Sequence, residues 1–145
     1  MKRLVIIVMS VFVLFALTGC PDTAYGNEEA KTHPLDVKLR EKFEAAVTTS
    51  DMVEAALDAV KEWDKLLNEN YRALMQKLDK GQQDQLRASQ REWIKFRDLE
   101  FEFNASFHFD LGGTIASINI ASFKWNFVRR RALELGHYLD YLEGL

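Results

Sequence analysis

Two residues near the end of the sequence have a spacing that is known from metal centres. Glu134 and His137 are related by the Glu-x-x-His pattern that di-iron helical bundles use. Such a centre needs a second copy of the pair and two further inward glutamates, and neither His33 nor His108 has a glutamate at that spacing. The number of ligands is therefore too small, and we predict no metal and no other cofactor.

Serine, histidine and aspartate are all present, and together they can form a nucleophilic triad. The sequence has no motif resembling a nucleophile elbow, and a single layer of helices offers no obvious oxyanion hole. The residues therefore give little support to an enzyme. We predict a protein that works by binding.

Cys20 is the only cysteine, and its position indicates thiol modification rather than a disulfide. It follows a basic start and an apolar run from Leu4 to Leu17, which is shorter than the roughly 20 residues that span a bilayer. Leu-Thr-Gly-Cys at residues 17–20 resembles the bacterial lipobox, in which the thiol is acylated and the cysteine becomes the new N-terminus. The sequence predicts a signal peptide over residues 1–19 and a lipid anchor, such as a palmitate-bearing one, at Cys20. The domain would then lie in the cell envelope, outside the cytoplasmic membrane.

The charge balance of the mature chain indicates which partners it prefers. Removal of residues 1–19 takes Lys2 and Arg3 with it, so the formal net charge of −3 becomes −5. An acidic chain is a poor binder of nucleic acid and of anionic lipid, and it favours a basic protein partner. We therefore expect membrane contact through the lipid anchor alone.

The remaining sequence divides into a flexible tether over residues 20–34 and a helical domain over residues 35–145. The tether contains Gly, Asn, Thr and two prolines and has few large apolar residues. A short amphipathic segment then runs from Leu35 to Val47, and Thr48 with Asp51 forms a variant of the capping box. Three longer apolar stripes follow, which end at Asp79-Lys80-Gly81, at Gly112-Gly113 and near the C-terminus.

These signals predict an all-α fold: an antiparallel bundle of three long helices with a short leading helix. In the second long helix, Phe103 and Phe107 fit the predicted core stripe, whereas Phe101 and Phe109 lie off it. In the third, the run Arg129-Arg130-Arg131 covers three helical faces, so we expect a solvated surface with one inward arginine.

The first helical hairpin allows a stricter expectation, because residues facing each other across it have numbers that add up to about 161. Each of the three resulting pairs is chemically complementary, and together they form a predicted polar network. Its function is either to fix the register of the helices or to bind a ligand, and the presence of a partner for every group favours the first. The predicted pairs are Asp64 with Arg97, Asn68 with Trp93, and Tyr71 with Gln90.

The same residues carry a family resemblance. Asp64-x-x-Leu67-Asn68-x-x-Tyr71-x-x-Leu74, followed by Leu86-x-x-x-Gln90-x-x-Trp93-x-x-Phe96-Arg97-Asp98, resembles the LprI-like lysozyme-inhibitor family. Gly112-Gly113-Thr114 looks like the Gly-Gly-Ser turn of that family, and Arg131 matches an arginine in its last helix. The resemblance spans roughly residues 45–135. Cysteine-bearing members usually have one cysteine near Ala55 and one at the position of Phe101, so this chain lacks their disulfide.

The resemblance implies inhibition of lysozyme. Lysozymes of the animal type are generally basic and have two catalytic carboxylates in an open cleft. An acidic surface would speed the encounter with such a protein, and an inserted loop would occlude the cleft. The alternative is a structural module that holds another protein of the cell envelope and inhibits nothing.

The expected binding surface is the turn after the second long helix. Phe107, His108 and Phe109 offer aromatic area and a hydrogen-bond donor, and Gly112 and Gly113 permit close approach of a partner. Asp110 in the same turn would repel an acidic cleft. An equally open interpretation is that the phenylalanines merely cover the end of the bundle or the leading helix. A second candidate surface is the acidic leading segment around Glu41 and Glu44.

Overall fold

The computed structural model describes residues 33–144, which form four α-helices and no strand. The leader, Cys20 and almost all of the predicted tether lie outside these residues. Helix α1 spans Pro34–Ala45, α2 spans Thr49–Lys77, α3 spans Lys80–Leu111 and α4 spans Ile115–Glu143. The all-α prediction of three long helices with a short leading helix is confirmed. The leading helix ends before Val47, which is 89% exposed.

Local capping chemistry explains where the first two long helices begin. The hydroxyl of Thr48 accepts a hydrogen bond from the Asp51 backbone N–H at 3.1 Å, and the Asp51 carboxylate accepts from the Thr48 N–H at 2.8 Å. Asp79 and Gln82 form the same reciprocal pair at the start of α3. Each box satisfies backbone donors that a helix leaves unpaired at its first turn. The cap predicted at Thr48 is confirmed.

Two glycines separate α3 from α4. Gly112 and Gly113 have φ angles of +73° and +86°, a region in which a Cβ atom clashes with its own backbone. The Gly112 N–H bonds to the carbonyl oxygens of His108 and Phe109 and so closes the last turn of α3. The predicted end of α3 before these glycines is confirmed.

The main packing contact of the fold joins α2 and α4, which run parallel to each other. Asn70 Nδ2 donates to the Ala132 carbonyl at 2.9 Å, and Lys77 meets Glu143 at the far end of both helices. We call the buried contact between them the α2–α4 seam. Most of its side chains are buried completely or nearly so, and they include Ala59, Trp63, Leu67, Leu74, Val128, Ala132 and Leu135.

The other two helices pack on this seam from different sides. Helix α1 lies on α2, where Leu39 joins the core and Lys42 pairs with Asp58 at 2.7 Å. Helix α3 packs on α4, and its contacts with α2 are few. Close contact between α2 and α3 is found at their turn, where Gln83 Nε2 bonds to the carbonyls of Met75 and Leu78.

This arrangement makes the predicted α2–α3 pairings wrong. The Arg97 guanidinium binds the neighbouring Asp98 at 2.7 Å, and the Asp64 carboxylate accepts from Asn68 on its own helix at 3.0 Å. Gln90 bonds to Arg131 of α4 instead of Tyr71. The inner face of α2 is occupied by α4, so α3 cannot follow α2 beyond the turn.

A helix that spans a bilayer must be both long and apolar. None of the four in residues 33–144 combines the length and the apolar character that a membrane-spanning helix needs.

Candidate functional site

The most exposed apolar surface of α3 is formed by Phe96, Leu99, Phe103 and Phe107. Their spacing of three and four residues places them along one side of the helix, and we call this row the aromatic stripe. Leu99 is 65% exposed and Phe103 is 67% exposed. Phe96 reaches the edge of the core, with its ring centroid 5.7 Å from that of Phe127. Contiguous apolar surface of this kind marks interaction sites on soluble proteins.

The assignment of the phenylalanines to core and surface differs from the sequence prediction. Phe103 and Phe107 were expected in the core and are exposed, whereas Phe101 was expected off the core stripe and packs into it. The Phe101 ring meets Phe123 and Phe127 of α4 edge to face, at 6.3 and 5.7 Å. Helix α3 is therefore rotated so that Trp93 and Phe101 face α4. Phe109 is 68% exposed, in agreement with its expected position.

The surroundings of the aromatic stripe are acidic. Residues 98–123 contain four carboxylates and no lysine or arginine. Glu102 and Asp110 are exposed, and Asp98 is exposed but engaged with Arg97. We call these carboxylates, Asp98, Glu100, Glu102 and Asp110, the acidic rim. Such a distribution attracts basic proteins and repels anionic surfaces.

The stripe continues into the turn that the sequence singled out. The rings of Phe103 and Phe107 lie 6.2 Å apart, and the Phe107 ring meets that of His108 edge to face at 5.5 Å. His108 is partly buried and Phe109 is exposed on another side of the helix. A Cβ atom added at Gly112 or Gly113 would meet no atom within 4 Å, so the space beside both glycines is open. The structure thus brings the predicted turn and the aromatic stripe into one continuous surface.

The polar residues of the predicted network are rearranged around Arg131. Its Nε donates to Gln90 at 3.0 Å, its Nη1 to Glu134 at 2.9 Å and its Nη2 to Ser89 at 3.3 Å. The Trp93 ring lies beside this guanidinium and that of Arg97, with centroid distances of 6.0 and 5.5 Å. This cluster ties α3 to α4. Asp64, Asn68 and Tyr71 lie apart from this cluster on α2, where Asn68 Nδ2 donates to the carbonyl and the carboxylate of Asp64 and Tyr71 packs against the core.

A second cluster, at the start of α1, was missed by the sequence analysis. Arg129 binds Asp36 through three hydrogen bonds of 2.9–3.0 Å, and these side chains are 13% and 9% exposed. The Arg129 guanidinium lies 5.3 Å from the centroid of the Trp63 ring. The centroids of the His33 and Trp63 rings lie 4.4 Å apart. We call these four residues the α1 clasp. Two arginines of the run point inward, Arg129 and Arg131, where one was expected, and Arg130 is exposed.

The chemistry of His33 depends on this setting. Its Nδ1 accepts a hydrogen bond from the Leu35 backbone N–H at 3.2 Å and so caps α1. Burial lowers the pKa of His33 below its ordinary value of 6.5, the Asp36 carboxylate raises it, and the Arg129 guanidinium lowers it. Trp63 stands at the spacing of the α2 stripe, between Val60 and Leu67, so periodicity alone identifies it as a core residue. The long-range ion pair has no such signal.

A bound metal ion needs several protein ligands close together. No group of three or more His, Cys, Asp or Glu side chains in this part of the chain is arranged to hold an ion. Glu134, half of the Glu-x-x-His pair, instead accepts a hydrogen bond from Arg131.

The chain matches a known protein family. The family model described as "Lysozyme inhibitor LprI" matches residues 40–135, which is more than half of the chain. The matched range runs from α1 into the last third of α4 and includes the aromatic stripe, the acidic rim and the turn. No curated protein and no solved structure matches the chain significantly.

Proposed function

Because the chain belongs to the LprI lysozyme-inhibitor family, we propose that it is an extracytoplasmic lipoprotein that binds a basic lysozyme and occludes its active-site cleft. The family is one of inhibitors, which is compatible with a protein that is not an enzyme. The binding surface in this proposal is the aromatic stripe with the adjoining turn. The lipid anchor is Cys20.

The observation that carries the proposal is the combination of exposed aromatics with an acidic rim. Phenylalanine side chains offer a large contact area and have few rotatable bonds to immobilise, so they suit the centre of an interface. The carboxylates around them steer a basic protein toward this surface and away from the rest of the bundle. The turn at Gly112 and Gly113 lets the end of the molecule approach a concave partner closely.

Inhibition follows from the geometry of the target. Hydrolysis of a glycan requires that the sugar chain lie between two carboxyl groups in the cleft. A bundle that covers the cleft mouth excludes this substrate without chemistry of its own. His108 supplies a hydrogen-bond donor beside the turn, whereas Asp110 repels the carboxylates of the cleft. We therefore place Asp110 at the margin of the contact, where it faces the basic surface around the cleft.

The test compares substitutions in the aromatic stripe with the substitution of an equally exposed aromatic residue on α4. Phe103→Ser and Phe107→Ser should each raise the inhibition constant for a basic animal-type lysozyme about tenfold or more, because interface anchors are worth about 2 kcal/mol. Tyr141→Ser is the matched control, since Tyr141 is 68% exposed on the last turns of α4. Lysis of cell-wall suspensions and binding by calorimetry measure both effects. Equal inhibition by all three variants would move the site away from the stripe, first to the surface of Glu41 and Glu44.

Two further variants test the turn and the charges. Phe109→Ser combined with His108→Ala should weaken binding if the turn enters the cleft. Glu100→Gln with Glu102→Gln should slow association and reduce its dependence on salt, with a smaller effect on dissociation. A parent protein that neither binds lysozyme nor stops lysis supports the alternative, a structural module of the cell envelope.

The anchor is tested separately. Cys20→Ala should release the protein from the membrane fraction or block its processing, because the acyl chains on this thiol provide the attachment. Fully processed Cys20→Ala protein that still fractionates with membranes would refute the assignment. The inhibition assay with the domain alone is independent of this result.

A further inference from the structure

A hollow of about 500 Å³ lies beside the turn between α2 and α3, at the end of the molecule opposite to Gly112 and Gly113. It is an open hollow lined by the end of α2, the start of α3 and the second half of α4. The hollow exists because α3 leaves α2 soon after their turn and packs on α4. Its volume is within the range of about 300–1,000 Å³ that is usual for small-molecule sites.

The apolar part of the hollow is made of leucines. Leu74 is buried, and Leu78, Leu86 and Leu142 are partly buried around it. Three of these leucines come from α2, α3 and α4, and Leu78 comes from the turn between α2 and α3; together they form a surface for an aliphatic chain. Gln82, Gln85 and Ser89 of α3 also line the hollow.

The guanidinium of Arg131 supplies the polar side of the hollow. Arg131 is 7% exposed and donates three hydrogen bonds, to Gln90, Glu134 and Ser89. A guanidinium has five N–H donors, so one donor on each of Nη1 and Nη2 remains for a ligand. Two neighbouring N–H groups of one guanidinium match the two oxygens of a carboxylate.

The mouth of the hollow carries two tyrosines, Tyr138 and Tyr141, which are 51% and 68% exposed. Tyrosine has an apolar ring and a polar hydroxyl, and it is common where one end of a site is apolar and the other is wet. Tyr138, Tyr141 and Leu142 follow the last residue of the family match, Leu135. The family match therefore does not cover this part of the hollow.

We propose that the hollow binds a small amphiphile of the fatty-acid class. The aliphatic tail lies on the leucines, and the carboxylate binds the two remaining donors of Arg131. Glu134 competes for the same guanidinium through its bond to Nη1, and its side chain is 49% exposed, so it can turn into solvent when the ligand enters. The site is separate from the proposed lysozyme-binding surface.

The experiment uses dodecanoate as the probe, with dodecan-1-ol and dodecylammonium as matched compounds of the same chain length. Titration calorimetry on the full chain, below micelle-forming concentrations, should give one saturable dodecanoate site per chain. Dodecylammonium should bind at least tenfold more weakly, because its charge is repelled by Arg131. Absence of saturable dodecanoate binding, or equal binding of the carboxylate and the ammonium compound, would overturn the proposal.

Variants locate the site without removing buried Arg131. Leu86→Trp should fill the hollow and abolish dodecanoate binding, whereas Leu99→Trp, the same change on the aromatic stripe, should leave it unchanged. Glu134→Gln should tighten dodecanoate binding and leave dodecanol binding as it was, because it removes the competing carboxylate. Helical content measured by circular dichroism must be the same in all variants. Dodecanoate binding that persists in Leu86→Trp refutes this site.

Lysozyme binding at the aromatic stripe and fatty-acid binding in the hollow can be refuted independently of each other. Leu86→Trp should inhibit lysozyme as the parent does, and Phe103→Ser should bind dodecanoate as the parent does. Loss of both activities in one variant would show unfolding, which the helical content detects.

Discussion

The α2–α4 seam and the outer side of α3 contain similar residues in opposite environments. In the seam, Trp63, Ala132 and Leu135 have no exposed surface, and on α3, Leu99 and Phe103 are about two thirds exposed. Burial of apolar side chains is the main stabilising term in folding, so the seam carries the stability of the domain. The apolar residues of the aromatic stripe contribute little to stability, which agrees with the proposal that they bind a partner.

The charged residues of the two regions also have different environments. In the α1 clasp, Arg129 and Asp36 are buried together and hold α1 in place. On α3, Asp98, Glu102 and Asp110 of the acidic rim are exposed, and Asp98 pairs with Arg97. Buried pairs act on stability, whereas unpaired surface charges act on long-range attraction.

The largest expected effect comes from the same substitution made in both regions. Leu135→Ala should lower the free energy of unfolding by about 2–5 kcal/mol, because it removes buried methyl groups and leaves a cavity. Leu99→Ala should change it by no more than about 0.5 kcal/mol. Chemical denaturation measures both. Similar losses in the two variants would mean that the stripe is covered in solution.

The next largest effect on stability is expected from removal of the buried carboxylate of Asp36. Asp36→Ala should cost about 3 kcal/mol or more, because Arg129 is left buried without its partner. Asp64→Ala should cost only about 1 kcal/mol, since Asp64 accepts one side-chain hydrogen bond from Asn68 on its own helix. The double variant Asp36→Ala with Arg129→Ala, measured in a thermodynamic cycle, should recover part of the loss. A larger effect at Asp64 than at Asp36 would restore the pairing expected from the sequence.

The limits of helices were predictable from the sequence because they depend on local chemistry. The box of Thr48 and Asp51 and the glycines at 112 and 113 act within a few residues, and the start of α2 and the end of α3 are found where these signals placed them. The leading helix is shorter than predicted and ends at Ala45, and the predicted stop at Asp79-Lys80-Gly81 extends into α3, which begins at Lys80. The side of α3 that faces the core was not predictable in this way. Trp93, Ile94 and Phe96 put apolar side chains on several sides of the helix, so periodicity alone does not select one.

The candidate site was predictable in part for the same reason. The turn residues Phe107, His108 and Phe109 were identified from their types, but Phe103 was assigned to the core because the stripe of α3 was drawn on the wrong side. The pairings across the first hairpin failed because they assumed that consecutive helices pack along their whole length. Contact between α2 and α4 is non-local, and a buried pair such as Asp36 with Arg129, 93 residues apart, leaves no local pattern.

A smaller effect is expected at the turn. Gly113→Ala places a Cβ atom at a φ of +86°, and it should cost about 1–2 kcal/mol through backbone strain alone, since the space beside it is open. Gly136→Ala is a control on α4, where the added Cβ would lie 3.3 Å from Asn70 Nδ2 and disturb the seam instead. Thermal melts give the stability of both. If the turn enters the lysozyme cleft, Gly113→Ala should also weaken inhibition, and Gly136→Ala should not.

The smallest expected effect is a pH dependence of stability, and it arises in the α1 clasp. The pKa of His33 is lowered in the folded state, chiefly by burial, so the folded protein favours the neutral ring. As pH falls below the ordinary pKa of 6.5, the unfolded state takes up the proton first, and stability decreases. The contribution of His33 is therefore fully present above pH 6.5 and is lost as pH falls through the lowered pKa. Protonation of Nδ1 also removes the acceptor that caps the Leu35 N–H.

His33→Asn is the variant that isolates this effect, because asparagine keeps a side-chain acceptor at the cap and does not titrate. Between pH 7.5 and pH 5, the free energy of unfolding should fall less in His33→Asn than in the parent. The carboxylates with lowered pKa, such as Asp51 and Asp58, have ordinary values of 3.8 and lose their contribution only below this window. The same decrease in both proteins would mean that His33 does not sense pH. The aromatic stripe lies on α3, whereas the α1 clasp is formed by residues of α1, α2 and α4. Acidification to pH 5 should therefore loosen α1 in the parent, and the affinity for lysozyme should be the same in the parent and in His33→Asn.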